Sequence, residues 1–420
     1  MHLKRRTFLV TGAAASLALS APAVLGQGRP RVIVIGGGCG GATAARYLAA
    51  ESDGAIDVIL IEPQRTYNTC FFGNLYLGGF WKLEDTAFTY VNLAESGVNV
   101  IHEFAVGIDR DAKTVTLGSG ATLAYDRLVV SPGIDFVEGS VPGWGLEHQD
   151  VMPHAYKGGT QVALLKSQIA AMPQGGTFAM IAPPNPYRCP PGPYERISMV
   201  AWHLKQNNPT AKILLVDPKE TFSKQALWEE GWLAHYPGMI ERVGPEFGAE
   251  TVEVRPDTME VVIDGDVTKV DACNVIPAQR AGNIAAIAGL TNDAGWAPVK
   301  PADMRSAVDD NVWILGDASQ QGDMPKSGFS ANSQAKVAVM SIRGELTGSQ
   351  VFPARYANTC WSLIAENDGV KIGASYEPTE EKIASVESFV SQPGEDAALR
   401  KQTFEESLGW YAGITSDMFG

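Results

Sequence analysis

The residues of this chain best suited to covalent chemistry are its five cysteines, at positions 39, 70, 189, 273 and 360. Cys189 lies in the stretch 181–195, "IAPPNPYRCPPGPYE", where Pro183, Pro184, Pro186, Pro190, Pro191 and Pro193 surround one thiol. Proline has no backbone N–H and fixes its own φ, so this loop holds a sulfur rigidly and offers few donors to an anion. Cysteine sulfur binds metals, acts as a nucleophile, or stores an electron pair as a disulfide. No C-x-x-C pair, C-x-x-C-H haem attachment or H-E-x-x-H occurs, and the six histidines are scattered, so no metal is expected in this chain. Nucleophilic and redox sulfur chemistry remain.

The elements that must position these thiols can be read from local pattern. "RVIVIGGGCGGATAARYLAA" is a buried strand, a glycine turn and a helix, and Gly36, Gly38 and Gly41 fit G-x-G-x-x-G. The next strand, "IDVILIEP", ends on Glu62 at the spacing of a ribose-binding acid. Two later strands, "YDRLVVSPGID" and "NVWILGDAS", also end in glycine turns, the latter closing on Gly316-Asp317. In order, the three segments resemble the fingerprints of the two-dinucleotide-domain flavoproteins that include glutathione reductase; the resemblance implies FAD, with Asp317 on its ribityl chain.

A second strand, helix and strand runs from "GGTFAMIAPP" to Asp217-Pro218 and echoes the first unit, in which Glu62-Pro63 stands at the corresponding place. The echo fails at the loop, where prolines replace the glycines that let backbone N–H groups cradle phosphate. The expected fold is α/β: two Rossmann-like, glutathione reductase-like domains plus a smaller C-terminal α+β domain. An FAD-binding domain is expected over 29–140 and 300–349, a second domain without nucleotide over 141–299, and an interface domain over 350–420. The last contains "YANTCWSLI", two strand-like pieces and a mixed-charge tail.

Thirty-three Lys and Arg against 47 Asp and Glu give a net charge of −14, which makes nucleic acid a poor partner. The N-terminus, "MHLKRRTFLVTGAAASLALSAPAVLG", has a basic start, an apolar run and small residues, so 1–26 is expected to be an export signal, with Arg5-Arg6 marking the twin-arginine type. Removing Lys4, Arg5 and Arg6, with no acid lost, takes −14 to −17. No later segment is apolar enough for an integral membrane span, and a periplasmic location is expected. Disulfides persist there, and an odd number of cysteines leaves at least one for another task.

Over nearly the whole mature chain, "GGGCGGATAA", "TYNTCFFGNLYLGG", "IAPPNPYRCPPGPYE", "ETFSKQ", "PAQRAGNIAAIAGLTNDAGW", "MPKSGFSANSQ" and "YANTCWS" follow the order found in the flavin subunit of flavocytochrome c sulfide dehydrogenase, which this chain resembles. The resemblance implies FAD attached by a thioether to Cys70, a redox-active disulfide between Cys189 and Cys360, and a haem c subunit as electron acceptor. It also places Lys326 and Ser327 beside the isoalloxazine ring. Cys39 and Cys273 are left as buried, unreactive thiols.

Hydrosulfide is a sulfur nucleophile, so attack on the Cys189–Cys360 disulfide would leave a persulfide on one sulfur and a thiolate on the other, with Cys360 the sulfur on the flavin side. Glu195, in the first turn of the helix after the proline loop, is the candidate acid/base, or else a glutamate favoured there by the helix dipole. Lys326 would stabilise an anionic reduced flavin, or else be a solvated loop lysine. Two other readings stay open: a sulfide:quinone oxidoreductase, and a non-catalytic FAD-binding redox or assembly protein.

Overall fold

The computed structural model describes residues 28–420, and the export signal expected over 1–26 lies outside them. Runs such as "VIVI" and "VILI" are apolar at every position because a parallel strand in a covered sheet is buried on both faces. β1 (Arg31–Ile35), β2 (Asp57–Ile61) and β4 (Arg127–Val130) are such strands, and β3 (Asn99–Ile101) is a half-exposed edge strand; all four are parallel. α1 (Cys39–Glu51) crosses from β1 to β2, and its buried face of Gly40, Gly41, Ala42, Ala44 and Ala45 lets it lie close to the sheet.

A second parallel sheet repeats the design with β5 (Thr177–Ile181), β6 (Lys212–Val216), β7 (Ile240–Val243) and β8 (Ala272–Val275), ordered β7-β6-β5-β8. α2 (Gly192–Asn207) joins β5 to β6. The chain then re-enters the first sheet with β9 (Val312–Ile314), giving the order β9-β4-β1-β2-β3, and α3 (Gly328–Thr347) packs against α1. This return begins before residue 300. Residues Gln279–Ala281 pair antiparallel with Ile134–Phe136, and the short helix Asn283–Ile287 already borders the first domain's cleft.

The C-terminal segment has three antiparallel strands where two strand-like pieces are legible: β10 (Tyr356–Ala365), β11 (Asp368–Pro378) and β12 (Ile383–Val390). The mixed-charge tail is a 23-residue helix, α4 (Ala397–Phe419). Asp396 caps it, accepting from the N–H groups of Ala398 and Leu399 at 2.9 Å each, an arrangement worth about 1 kcal/mol. α4 is fastened to the first domain through Asp417, which accepts from the Tyr47 hydroxyl at 2.8 Å and the Asn332 amide at 3.2 Å.

Candidate active site

The ends of β1 and β2 open onto a cleft of about 650 Å³. Gly36 has φ +96°, and a Cβ there would stand 2.3 Å from the Ser131 carbonyl oxygen; at Gly41 it would stand 1.8 Å from the Gly36 carbonyl oxygen. Both glycines are demanded by the packing of strand, turn and helix. Gly38 is not: a Cβ there would meet nothing nearer than Tyr67 at 3.7 Å. Its missing side chain clears the N-terminus of α1, where a pyrophosphate can meet unpaired N–H groups.

Glu62 ends β2 with one carboxylate oxygen accepting from Gly37 N–H and the other from Gln64 N–H, both at 2.8 Å. Gly316, at φ +70°, turns the chain after β9 and donates to Gln334 Oε1 at 2.8 Å. The next residue, Asp317, has Oδ1 buried with no hydrogen-bond partner among the described residues. An orphaned acceptor facing a cleft that begins at a cleared helix N-terminus fits the ribityl hydroxyls of FAD.

Cys70, Arg188 and Asp317 line this cleft and also a smaller cavity of about 80 Å³ beyond it. Cys189, Cys360 and Glu195 all face the smaller cavity, and both thiols are free. Cys189 has φ +55°, a backbone state that few side-chain-bearing residues adopt, and it is held there by donating to the Lys326 carbonyl at 2.7 Å. Gly192 gives its sulfur room, since a Cβ at 192 would stand 2.9 Å from it. Cys360 comes from the middle of β10, where Asn358 Nδ2 donates to its sulfur at 3.4 Å. An outer cavity of about 250 Å³, between the proline loop and the face of β11 and β12, also reaches Cys360 and Asn358.

Glu195 lies in the first turn of α2, and its carboxylate accepts from Asn74 Nδ2 and from Leu363 N–H, both at 2.9 Å. One side chain thereby joins the first domain, the second domain and the C-terminal sheet. Burial raises its pKa, opposed by those two hydrogen bonds and by Lys224 and Arg196. Burial pushes the Cys189 thiol well above its ordinary value, and Cys360, Glu195 and Cys70 push the same way, with Arg188 opposing. The Cys360 thiol is also raised by burial, but Asn358, Lys224 and Ser327 all favour its thiolate. The two sulfurs are therefore not equivalent.

Four buried basic side chains, Arg188, Arg196, Lys224 and Lys326, surround the thiols against the carboxylates Glu195 and Asp317. Desolvation lowers Arg196 to about 10, and Lys224 and Lys326 to about 8. A local excess of positive charge inside an acidic chain suits an anionic substrate.

Lys326 borders the thiol cavity. Its ammonium donates to the carbonyls of Asp317 at 2.8 Å and Ser319 at 2.7 Å and sits 3.7 Å from the Trp296 ring centroid, so it braces the loop behind the cleft. Ser327 is the N-cap of α3, its hydroxyl accepting from Ser330 N–H at 3.0 Å and donating to Asn358 Oδ1. Cys273 is buried in β8 with its thiol raised to about 12. Cys39 is also buried, but it lines the cleft and its sulfur lies 3.9 Å from the Tyr67 hydroxyl.

Sequence reading missed Asn74, Tyr156, Arg188, Arg196, Lys224 and Asn358. Among the described residues Arg196 has no carboxylate partner within 4 Å: it donates to Asn74 at 3.1 Å, Asn274 at 2.9 Å and the Ala155 carbonyl at 2.6 Å. Tyr156 donates to the Arg188 carbonyl at 2.6 Å and steadies the loop. In the second domain Asp217, at the place corresponding to Glu62, is fully buried. It accepts from Tyr194 Oη at 2.9 Å and pairs with Lys219 at 2.6 Å and Arg242 at 3.3 Å.

Fold and site together define a flavoprotein oxidoreductase with two dinucleotide-type domains and a thiol pair beside the flavin cleft. Family models match along the chain: pyridine nucleotide-disulphide oxidoreductase over 30–163, the central part of the sulfide dehydrogenase [flavocytochrome c] flavoprotein chain over 162–277, and the flavin-binding part of flavocytochrome c sulphide dehydrogenase over 352–419. The chain belongs to the family of flavocytochrome c sulfide dehydrogenase flavoproteins and their sulfide:quinone oxidoreductase relatives.

It is 49% identical over 47 residues, 11% of this chain and 96% of that sequence, to the sulfide dehydrogenase [flavocytochrome c] flavoprotein chain of Chlorobaculum thiosulfatiphilum. The mitochondrial sulfide:quinone oxidoreductase of Dictyostelium discoideum is 21% identical over 74% of this chain and 70% of its own. Among solved structures, the sulfide:quinone oxidoreductase of Aquifex aeolicus superposes with a TM-score of 0.67 at 20% identity, covering 92% of both chains. Putidaredoxin reductase, in its covalent complex with putidaredoxin, gives 0.66 at 15%, covering 90% of this chain and 93% of its own. Among the described residues no helix is long and apolar enough to cross a membrane, and no cluster of side chains could hold a metal.

Proposed function

We propose that this protein oxidises hydrosulfide through a disulfide between Cys189 and Cys360 and passes the electrons, by way of FAD, to a c-type cytochrome. The observation that carries this is the shared cavity: Cys189, Cys360 and Glu195 face one space whose far wall, Cys70, Arg188 and Asp317, is also the wall of the FAD cleft. Hydrosulfide is held in the smaller cavity that Cys189 and Cys360 both line, by the cations Arg188 and Arg196 on its wall. Attack on the disulfide leaves a persulfide on one sulfur and a thiolate on the other. Asn358 and the buried cations hold the thiolate, and Glu195, its pKa raised by burial, is placed to take or return a proton. A second hydrosulfide carries the persulfide's outer sulfur away as a disulfane anion and leaves two thiols, and FAD, when bound, would supply the two-electron acceptor that returns them to the disulfide.

Cys70 borders both spaces and is the residue for a thioether to the flavin. The second domain is read as a scaffold without a nucleotide, because Tyr194, Lys219 and Arg242 already occupy its acid, Asp217. Cytochrome as acceptor and twin-arginine export to the periplasm rest on family likeness and on the N-terminal sequence.

The test is an anaerobic titration of the FAD-loaded protein with sulfide, followed at the flavin absorbance band. Stoichiometric bleaching, reversed by oxidised cytochrome c and not by a soluble quinone, is the expected result. A flavin that stays oxidised refutes the sulfide reading. Recovery with quinone alone refutes the cytochrome.

A further inference from the structure

Lys224 is hard to account for by packing. It stands at φ +62° just before the helix Gln225–His235, and its side chain is buried, with the residue 7% exposed. Its ammonium donates to Ser362 Oγ at 2.8 Å and the Cys360 carbonyl at 3.3 Å, and lies 5.4 Å from the Trp228 ring centroid. Among the described residues, no carboxylate lies within 4 Å of it. An ammonium taken from water without an ion pair is costly, and a methionine would fill the same space more cheaply.

The charged and titratable groups around this position come from every element packed there. Lys224 itself stands on the turn, Glu195 on α2, Cys189 on the proline loop and Tyr376 on β11, all acting on or with Cys360 of β10. Of these, Lys224 is the one cation. Around Cys189 the balance differs: Cys360 and Glu195 both push its thiol up, Arg188 and Arg196 oppose them, and Lys224 reaches it less than it reaches Cys360.

We propose that Lys224 is a positioning residue that makes Cys360 the sulfur leaving as thiolate, and so directs hydrosulfide to Cys189. The step is complete within the site. A bond forms between hydrosulfide and Cys189 Sγ, the Cys189–Cys360 bond breaks, its electron pair settles on Cys360 Sγ near Lys224 and the Asn358 amide, and the hydrosulfide proton stays on the new persulfide. The inference rests on the sulfide reading only for the direction of attack; the effect of the cation on Cys360 holds without sulfide.

The experiment therefore has two arms. In the first, FAD-loaded protein reduced with a phosphine is alkylated with iodoacetamide over a range of pH, and the Cys360 peptide is quantified. Lys224→Met should raise the apparent thiol pKa by about one unit, slowing alkylation about tenfold at a fixed pH below it, and Lys224→Arg should restore it. An unchanged profile in Lys224→Met overturns the role of the cation. In the second arm, the oxidised wild-type protein receives one equivalent of sulfide and is quenched by alkylation. The extra sulfur mass is expected on the Cys189 peptide; finding it on the Cys360 peptide overturns the direction, and this arm decides even where Lys224→Met does not fold. Sulfide failing to react, with the alkylation shift intact, would refute the sulfide reading and leave the cation's effect standing.

Discussion

The glycines at 38 and 41 belong to the same motif, one capping α1 and the other in its first turn, yet the structure assigns them different reasons, and that difference can be measured. Placing a Cβ on Gly41 puts it 1.8 Å from the Gly36 carbonyl oxygen, a backbone atom with no room to move unless α1 lifts off β1. Gly41→Ala should cost at least about 3 kcal/mol, at the severe end of overpacking. Placing a Cβ on Gly38 leaves it 3.7 Å from Tyr67, an ordinary contact, in an extended backbone at φ −79° and ψ −164°. The loss of a glycine there stabilises by about 0.4–1 kcal/mol through the unfolded chain, offset by a few tenths for a poorer helix cap. Gly38→Ala apoprotein should therefore melt within about 3 °C of the parent. Its methyl group nevertheless occupies the space cleared for the pyrophosphate, so FAD retention should fall at least tenfold.

The assay is FAD titration of apoprotein in a Cys70→Ser background, which keeps binding reversible, with the flavin retained after gel filtration set beside the melting temperature. Gly38→Ala binding FAD as the parent does, or melting as early as Gly41→Ala, would refute the assignment.

Two further outcomes follow from buried charge. Lys219→Met strips Asp217 of a partner at 2.6 Å while Arg242 and Tyr194 remain, so denaturant unfolding should show a loss of about 3 kcal/mol, with no NADH oxidation gained. Glu195 has its pKa raised by burial above the ordinary value of 4.5, so in the native state it holds its proton to higher pH than in the unfolded chain. Its stabilising share is present below pH 4.5 and is lost as pH rises through the folded value; Glu195→Gln should flatten that part of the melting temperature against pH, and an unchanged slope would contradict the burial account.

The dinucleotide loop was legible because its causes are local. A tight turn, a close backbone approach and a helix start all fall within the few residues from Gly36 to Gly41, and each constrains residue type directly. The proline loop was legible for the complementary reason, since a string of residues without N–H groups excludes a phosphate cradle whatever surrounds it. The lining of the thiol cavity was not legible. Asn74 and Glu195 are 121 positions apart, Glu195 and Leu363 are 168 apart, and Lys224 and Cys360 are 136 apart. No periodicity in one segment carries information about such pairs. α4 escaped notice because half of its buried residues, Arg400, Thr403, Ser407 and Thr415, are polar, which blurs the apolar period that marks a helix.

By itself the sequence determined which residues could carry chemistry, where the strand, turn and helix units fall, and that the second unit's loop is unlike the first. Those properties depend on φ preference, missing N–H groups and side-chain polarity, all settled within a few bonds of each residue. Only the tertiary structure decided that Cys189 and Cys360 share a cavity, that Glu195 joins three parts of the chain, that Lys326 braces a loop, and that Lys224 acts more strongly on Cys360 than on Cys189. Distance and burial set the strength of a charge, and both are properties of the packed molecule.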